Sequence, residues 1–228
     1  MAGLKVIQEI EGLGKIVVSS ESLDEQIQEL KNAGVEFPHL ISVRDASYMR
    51  IYNGPRDGTR TCHAPIHAKG SPIILAMISP LIGDSRIAKQ AVETHRNNNY
   101  FVTQDTEVYD KYAKIAEADK SKEPEERRAI VLPEKRDYII KPDTEEARAL
   151  FRDTQKEYLK MFAPNGVAFR PTNAEFVDGQ DGTTISYLWF RNPGVGSELD
   201  SSYWYFLYYN YGAFGVLKET SEAGSRKN

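Results

Sequence analysis

The C-terminal part of the chain contains the sequence YLWFRNPGVGSELDSSYWYFLYYNYGAF at residues 187–214. These 28 residues hold 11 of the 24 aromatic side chains and both tryptophans. Aromatic residues have a high strand propensity, and residues 192–196 (NPGVG) have the composition of a turn. The pattern predicts an aromatic β-hairpin at the C-terminus, with strands within 183–191 and 203–214.

Successive side chains of a strand point to opposite faces, so the second predicted strand has two different aromatic faces. Four tyrosines and a leucine alternate with Trp204, Phe206 and Tyr208. Neither face is polar, which predicts that both are covered. One interpretation is a central strand of the core. The other is that the tyrosine face contacts a partner protein, a sugar ring or a stacked base, because tyrosine combines an amphipathic ring with a polar tip. The binding residues predicted in that case are Tyr203, Tyr205, Tyr209, Tyr211 and Trp204.

The rest of the chain mixes helical and strand patterns without strict alternation. Helices are predicted at 22–34, at 84–96, from 106 onward and, as the longest, at 143–162. Strands are predicted at 5–10, 15–19, 40–43, 100–103, 129–132, 138–141 and 167–169, and Pro133 indicates an edge strand or a turn. Residues 52–71 are rich in turn dipeptides, and 72–79 fit either a strand or a buried helix. The expected fold is α+β, with a mixed or mainly antiparallel sheet, about four helices packed mostly on one face, and the aromatic C-terminal β-hairpin.

Domain organisation is predicted from length and charge. A chain of 228 residues fits a single domain, residues 1–228. The charged stretch 119–128 is a possible linker, which would divide the chain into sub-lobes 1–118 and 129–218.

The composition and net charge of the chain indicate its compartment and exclude some classes of partner. No apolar run approaches the ~20 residues that span a bilayer, so no membrane association is expected. The single cysteine, Cys62, excludes a disulfide framework and favours a reducing, cytoplasmic setting. The formal net charge of −4 argues against nucleic-acid binding, and the basic residues of 127–141 are interleaved with acidic ones.

The densest group of reactive side chains lies at residues 61–71. Cys62, His63 and His67 could supply three ligands to a metal ion, with His95 or Glu93 as the fourth. Pro65 interrupts the His spacing, which weakens that hypothesis because the two histidines do not share a helix face. Alternatively, Cys62 is a nucleophile with a histidine as its base, or the thiol is a small buried group and the histidines lie on a surface loop. Asp45 is a further candidate acid, since it follows a predicted strand.

These patterns lead to one main functional prediction and one alternative. The main prediction is a binding or assembly protein that uses the aromatic C-terminal hairpin to contact a ligand, a protein partner or a second copy of itself. The alternative is a metal- or thiol-dependent hydrolase built on Cys62, His63 and His67, with Asp45 as a weaker catalytic candidate. No glycine-rich fingerprint follows a strand, which removes the usual support for a dinucleotide or a P-loop nucleotide site. The sequence identifies no cofactor.

Overall fold

The computed structural model describes residues 5–10, 14–19, 41–52, 59–94, 100–171, 178–191, 197–201 and 213–217, with the backbone alone at 5–10, 14–19, 59–60, 88, 91–94 and 213–217. In chain order the strands are β1 Lys5–Ile10, β2 Gly14–Ser19, β3 Thr59–Arg60, β4 Ala64–Ala68, β5 Ile74–Ala76, β6 Tyr100–Thr103, β7 Ala129–Val131, β8 Tyr138–Ile140, β9 Val167–Arg170, β10 Thr183–Ser186, β11 Trp189–Arg191, β12 Glu198–Asp200 and β13 Ala213–Leu217. The α-helices are α1 Val43–Ile51, α2 Pro80–Gly83, α3 Ser85–Thr94, α4 Glu107–Asp119, α5 Glu145–Phe151 and α6 Gln155–Phe162. Two 3₁₀ turns lie at Pro124–Glu126 and Arg152–Thr154.

The strands form three sheets, in the orders β1-β2-β13, β6-β10-β4-β5-β7 and β3-β11-β12-β9-β8. All pairs are antiparallel except β9 with β12. Helices and mixed sheets are interspersed along the chain, and this confirms the predicted α+β class.

Two hydrophobic cores share the sheet that contains β5. Leu75 points into the first core, which also contains Phe169 and Phe190 of the other five-stranded sheet and buried residues of α1, α5 and α6. Ile74 points to the opposite face, into the second core with Val108 and Ala116 of α4. The alternation of side chains along one short strand therefore places a packed layer on each face of the sheet.

The predictions for residues 40–43 and 143–162 differ from the structure. Residues 40–43 are predicted as a strand, but Val43 begins α1. Ser42 and Asp45 form a capping box there, in which the Ser42 side chain accepts from the Asp45 N–H. The longest predicted helix, 143–162, is two helices, because Arg152 has φ 51° and ψ −127° and breaks the helical hydrogen bonding between α5 and α6.

The C-terminal aromatic segment is described at both of its ends. The first predicted strand, 183–191, is two strands in different sheets. Strand β10 pairs with β4 and β6, and β11 pairs antiparallel with β12, with Phe190 opposite Leu199. Residues 203–211, which include all five predicted binding residues, lie outside the described residues, as does the predicted helix at 22–34. Ala213 and Phe214 belong to β13 and pair with β2.

The predicted linker 119–128 has defined local structure. Asp119, at the end of α4, is 1% exposed and accepts hydrogen bonds from the backbone and the guanidinium of Arg128. These bonds hold the pKa of the Asp119 carboxyl well below its usual range. In the described part of the chain, no helix has both the length and the apolar character needed to cross a bilayer.

Candidate functional site

Cys62 lies between β3 and β4 and is 5% exposed. Its thiol donates to the Met77 carbonyl oxygen at 3.4 Å, and its Sγ lies 3.8 Å from His63 Nδ1. Burial raises the pKa of the Cys62 thiol to about 12, and the charge of Asp45 adds to this effect. Because the thiolate is the nucleophile, the thiol in this arrangement is an unreactive one at neutral pH.

His63 uses both ring nitrogens inside the protein. The Val43 N–H donates to Nε2 at 3.1 Å, so Nε2 is an acceptor and the proton lies on Nδ1. Nδ1 lies 2.8 Å from the Met77 carbonyl oxygen, to which it donates. Burial lowers the pKa of His63 to about 4, so the ring is neutral. A nitrogen that already carries a proton cannot deprotonate Cys62, and Nε2 is occupied by α1.

Asp45 lies in the first turn of α1. One carboxylate oxygen accepts from the Ser42 backbone N–H at 3.2 Å and from the Ser42 hydroxyl at 2.7 Å. The other oxygen lies 3.3 Å from the Arg44 guanidinium. The structure brings Asp45 within electrostatic range of Cys62 and His63, but its hydrogen bonds serve to begin the helix.

His67 is in a different environment from His63. It lies on β4 directly opposite Thr184 of β10, and the two side chains are 2% and 1% exposed. Neither ring nitrogen nor the Thr184 hydroxyl has a hydrogen-bond partner in the described part of the chain. The Asp178 carboxylate lies 3.7 Å from His67 Nε2 and accepts from the Gly70 N–H at 3.1 Å. Burial lowers the pKa of His67 to about 4, which the nearby Asp178 opposes.

Unpartnered buried nitrogens are uncommon, because an unsatisfied polar group in the interior costs ~1–3 kcal/mol. The His67 imidazole and the Thr184 hydroxyl are therefore buried polar groups that a small polar ligand or an ion could satisfy, and the Asp178 carboxylate lies 3.7 Å from the imidazole. Among the described residues, however, no three His, Cys, Asp or Glu side chains come together to hold a metal. His63 and His67 are not joined in one site, and His95 lies outside the described residues.

The structure also has a concave site that was not predicted from the sequence. It is a cleft of about 300 Å³ along β7, lined by Ala129, Ile130 and Val131 of that strand. Ala116 and Glu117 of α4 line one side together with Lys120, which directly follows the helix, and Glu145 and Glu146 of α5 contribute to the rest, with Arg127 beside them. Strand β7 lies at the edge of its sheet, as Pro133 indicates, and the other lining residues come from α4 before it, from α5 after it, and from Lys120 and Arg127 between α4 and β7.

The cleft has an ordered charged rim. Arg127 is largely buried and donates to Glu145 at 2.6 Å and to the carbonyl oxygens of Lys120 and Lys122. Lys120 lies 3.9 Å from Glu117. Among the described residues, no lysine or arginine forms an ion pair with Glu146. The apolar floor, contributed by Ala116, Ala129 and the half-exposed Val131, lies between these charges.

Comparison of the chain with protein-family models, curated proteins and solved structures gives no match.

Proposed function

We propose that this protein is a binding or assembly protein, and that its aromatic C-terminal segment contacts a protein partner, a ligand or a second copy of the chain. The observation that favours binding over catalysis is the state of Cys62 and His63. The thiol has a raised pKa, and both imidazole nitrogens are engaged in internal hydrogen bonds. The strongest catalytic pattern in the sequence therefore lacks an activated nucleophile.

The position of the aromatic segment supports the same proposal. Strand β12 lies between β11 and β9, so both of its edges are paired before the chain enters residues 202–212. These residues contain seven aromatic side chains and lead into β13. Tyrosine and tryptophan are enriched at protein interfaces because they supply a large contact area with few rotatable bonds.

The formal net charge of −4 favours a protein partner over nucleic acid. A reducing, cytoplasmic setting is part of this proposal, since the only cysteine is a buried free thiol.

The test compares Tyr205→Ser/Tyr209→Ser with Tyr205→Phe/Tyr209→Phe. Self-association is measured by sedimentation velocity, exposure of the tyrosines by tetranitromethane modification, and folding by urea unfolding. We expect both tyrosines to be modified in the native protein at dilutions at which it is a monomer. We also expect the serine variant to lose association at an unchanged free energy of unfolding, while the phenylalanine variant retains part of it.

The proposal is wrong if both tyrosines resist modification and the serine variant unfolds far more easily than the phenylalanine variant. In that case the segment is part of the interior, and its aromatic content reflects packing alone.

The environment of His67 favours a second candidate, a metal-dependent hydrolase that uses His67 in place of Cys62. Its buried imidazole, without a hydrogen-bond partner among the described residues and close to Asp178, is the supporting observation. Elemental analysis of the purified protein tests it. A stoichiometric transition metal that is lost in His67→Ala and kept in His63→Gln would favour the enzyme. Purified protein that neither contains nor takes up such a metal would rule it out.

A further inference from the structure

We propose that the cleft along β7 binds an extended peptide of a partner protein, which adds a strand to the edge of the sheet and places a lysine or arginine beside Glu146. This site is independent of the aromatic segment. It rests on three features of the described residues: an open strand edge, a groove with a wall on each side, and an uncompensated carboxylate.

The backbone of β7 offers hydrogen bonds to a further strand. In its register with β5, Leu75 lies opposite Ile130, and the Leu132 N–H donates to the Ile73 carbonyl oxygen. In an antiparallel pair, alternate residues direct their peptide groups toward the partner strand. Ile130 and Leu132 therefore face β5, and Ala129 and Val131 direct their N–H and C=O groups to the outer edge.

Among the residues that the structure describes, nothing hydrogen-bonds to Ala129 or Val131 on that side. Strand β7 ends the sheet order, so β5 is its one strand neighbour there. Exposed edges of this kind are the sites of peptide recognition by strand addition. Val131 is half-exposed and offers two hydrogen bonds to an incoming backbone, whereas Ala129 is fully buried.

The helices make the edge a groove. Helix α4 packs over the face of the sheet that carries Ala129, and Ala116 of the helix and Lys120, which directly follows it, line one side of the cleft. Helix α5 belongs to the first core, on the opposite face, and its residues Glu145 and Glu146 reach the cleft from there. An added strand would thus lie between the two helices.

The dimensions and the charge identify the occupant. A cleft of about 300 Å³ is at the lower limit of small-molecule sites and suits one or two aliphatic side chains better than a large cofactor. Three carboxylates and two cations line it, and the two cations already pair with Glu117 and Glu145. Glu146 is left to pair with a basic residue of the peptide, which favours a sequence that alternates basic and small apolar residues.

The experiment uses the full chain, labelled with ¹⁵N, and the peptide acetyl-KVKVKV-amide as the probe. Binding is followed by amide chemical shifts and by hydrogen exchange at Ala129 and Val131. Two control peptides accompany it: acetyl-EVEVEV-amide, which reverses the charge, and KVKVKV that is N-methylated throughout, which keeps the charge but lacks the backbone donors. We expect the probe alone to shift the amide signals of both residues and to protect the half-exposed Val131 amide from exchange, at peptide concentrations up to about 1 mM.

Two variants test the two kinds of contact. Glu146→Gln removes the charge and should weaken binding about two- to fivefold, whereas Glu157→Gln, an exposed carboxylate on α6, should leave it unchanged. Val131→Pro removes the outward N–H but leaves the bonds to β5, so it should reduce binding by about tenfold or more. Val131→Thr keeps the N–H and serves as the control for altered folding.

Several results would overturn the proposal. The first is the absence of shifts at Ala129 and Val131 up to about 1 mM peptide. Equal binding of the N-methylated peptide, or equal effects of Glu146→Gln and Glu157→Gln, would show a general attraction of cations to an acidic protein. If the Val131 amide is already protected without peptide and Val131→Pro converts a dimer to a monomer, the edge pairs with a second copy instead.

Discussion

At the scale of single residues, two histidines four positions apart have opposite hydrogen-bonding environments. His63 is held between the Val43 N–H and the Met77 carbonyl oxygen, and His67 has no partner for either nitrogen in the described part of the chain. The sequence places both in one reactive segment. The difference arises because His63 lies beside the start of α1, whereas His67 lies on β4 in a cross-strand pair with Thr184 of β10.

Both rings should make stability depend on pH in the same direction. The folded pKa of His63 is about 4, below the usual 6.5, so the unfolded chain binds a proton that the folded protein does not. The contribution to stability is complete above pH 6.5 and is lost as the pH falls toward 4. It amounts to on the order of 3 kcal/mol for His63.

The measurement is urea unfolding of the wild type and of His63→Gln at a series of pH values from 7 to 4. The glutamine cannot take up this proton, so we expect its free energy of unfolding to fall less steeply with decreasing pH. His67 and carboxylates whose folded pKa is lowered, such as Asp119, continue to titrate in both proteins and supply the remaining slope. Parallel curves would contradict the assignment of His63 as a neutral, buried ring.

At the scale of elements, the break between α5 and α6 depends on one strained residue. Arg152 has φ 51° and ψ −127°, a conformation that side chains with a Cβ rarely adopt, and its side chain is exposed. The sequence 143–162 has the apolar spacing of one continuous helix. The turn instead lets α6 pack against α1, where the Tyr158 hydroxyl accepts from Arg50.

Arg152→Gly should therefore stabilise the protein by about 1 kcal/mol, because glycine adopts this conformation without strain. Arg152→Ala removes the same side chain but keeps the Cβ, so we expect no comparable gain from it. Chemical denaturation of both variants provides the comparison. Equal stability of the glycine and alanine variants would show that the backbone there is not strained.

At the scale of the whole molecule, the two cores are coupled through one sheet. Each core combines residues from both sides of 119–128, and β5 pairs with β7 across that stretch. A separation into sub-lobes 1–118 and 129–218 would break this pairing. Cooperative unfolding of the two cores together is thus the physical expectation.

Leu75→Ala in the first core and Ile66→Ala in the second should each lower the free energy of unfolding by ~2–5 kcal/mol. Both side chains are fully buried. We expect each variant to shift one common transition, seen equally by tryptophan fluorescence and by circular dichroism. Two separate transitions, each moved by one variant, would instead support the two sub-lobes.

The sequence by itself determined the α+β class and most of the described strands. The alternation of apolar and polar residues, the turn residues and the helix-capping residues are local signals that do not depend on tertiary contacts. It also singled out Cys62, His63 and His67 as chemically active types. Their states were decided by tertiary structure alone, since burial and hydrogen bonds to α1 and Met77 set the protonation of the thiol and the first imidazole. The cleft along β7 was likewise decided by tertiary structure. Its walls come from helices that precede and follow the strand, and a groove between them exists only once the sheet has brought them together.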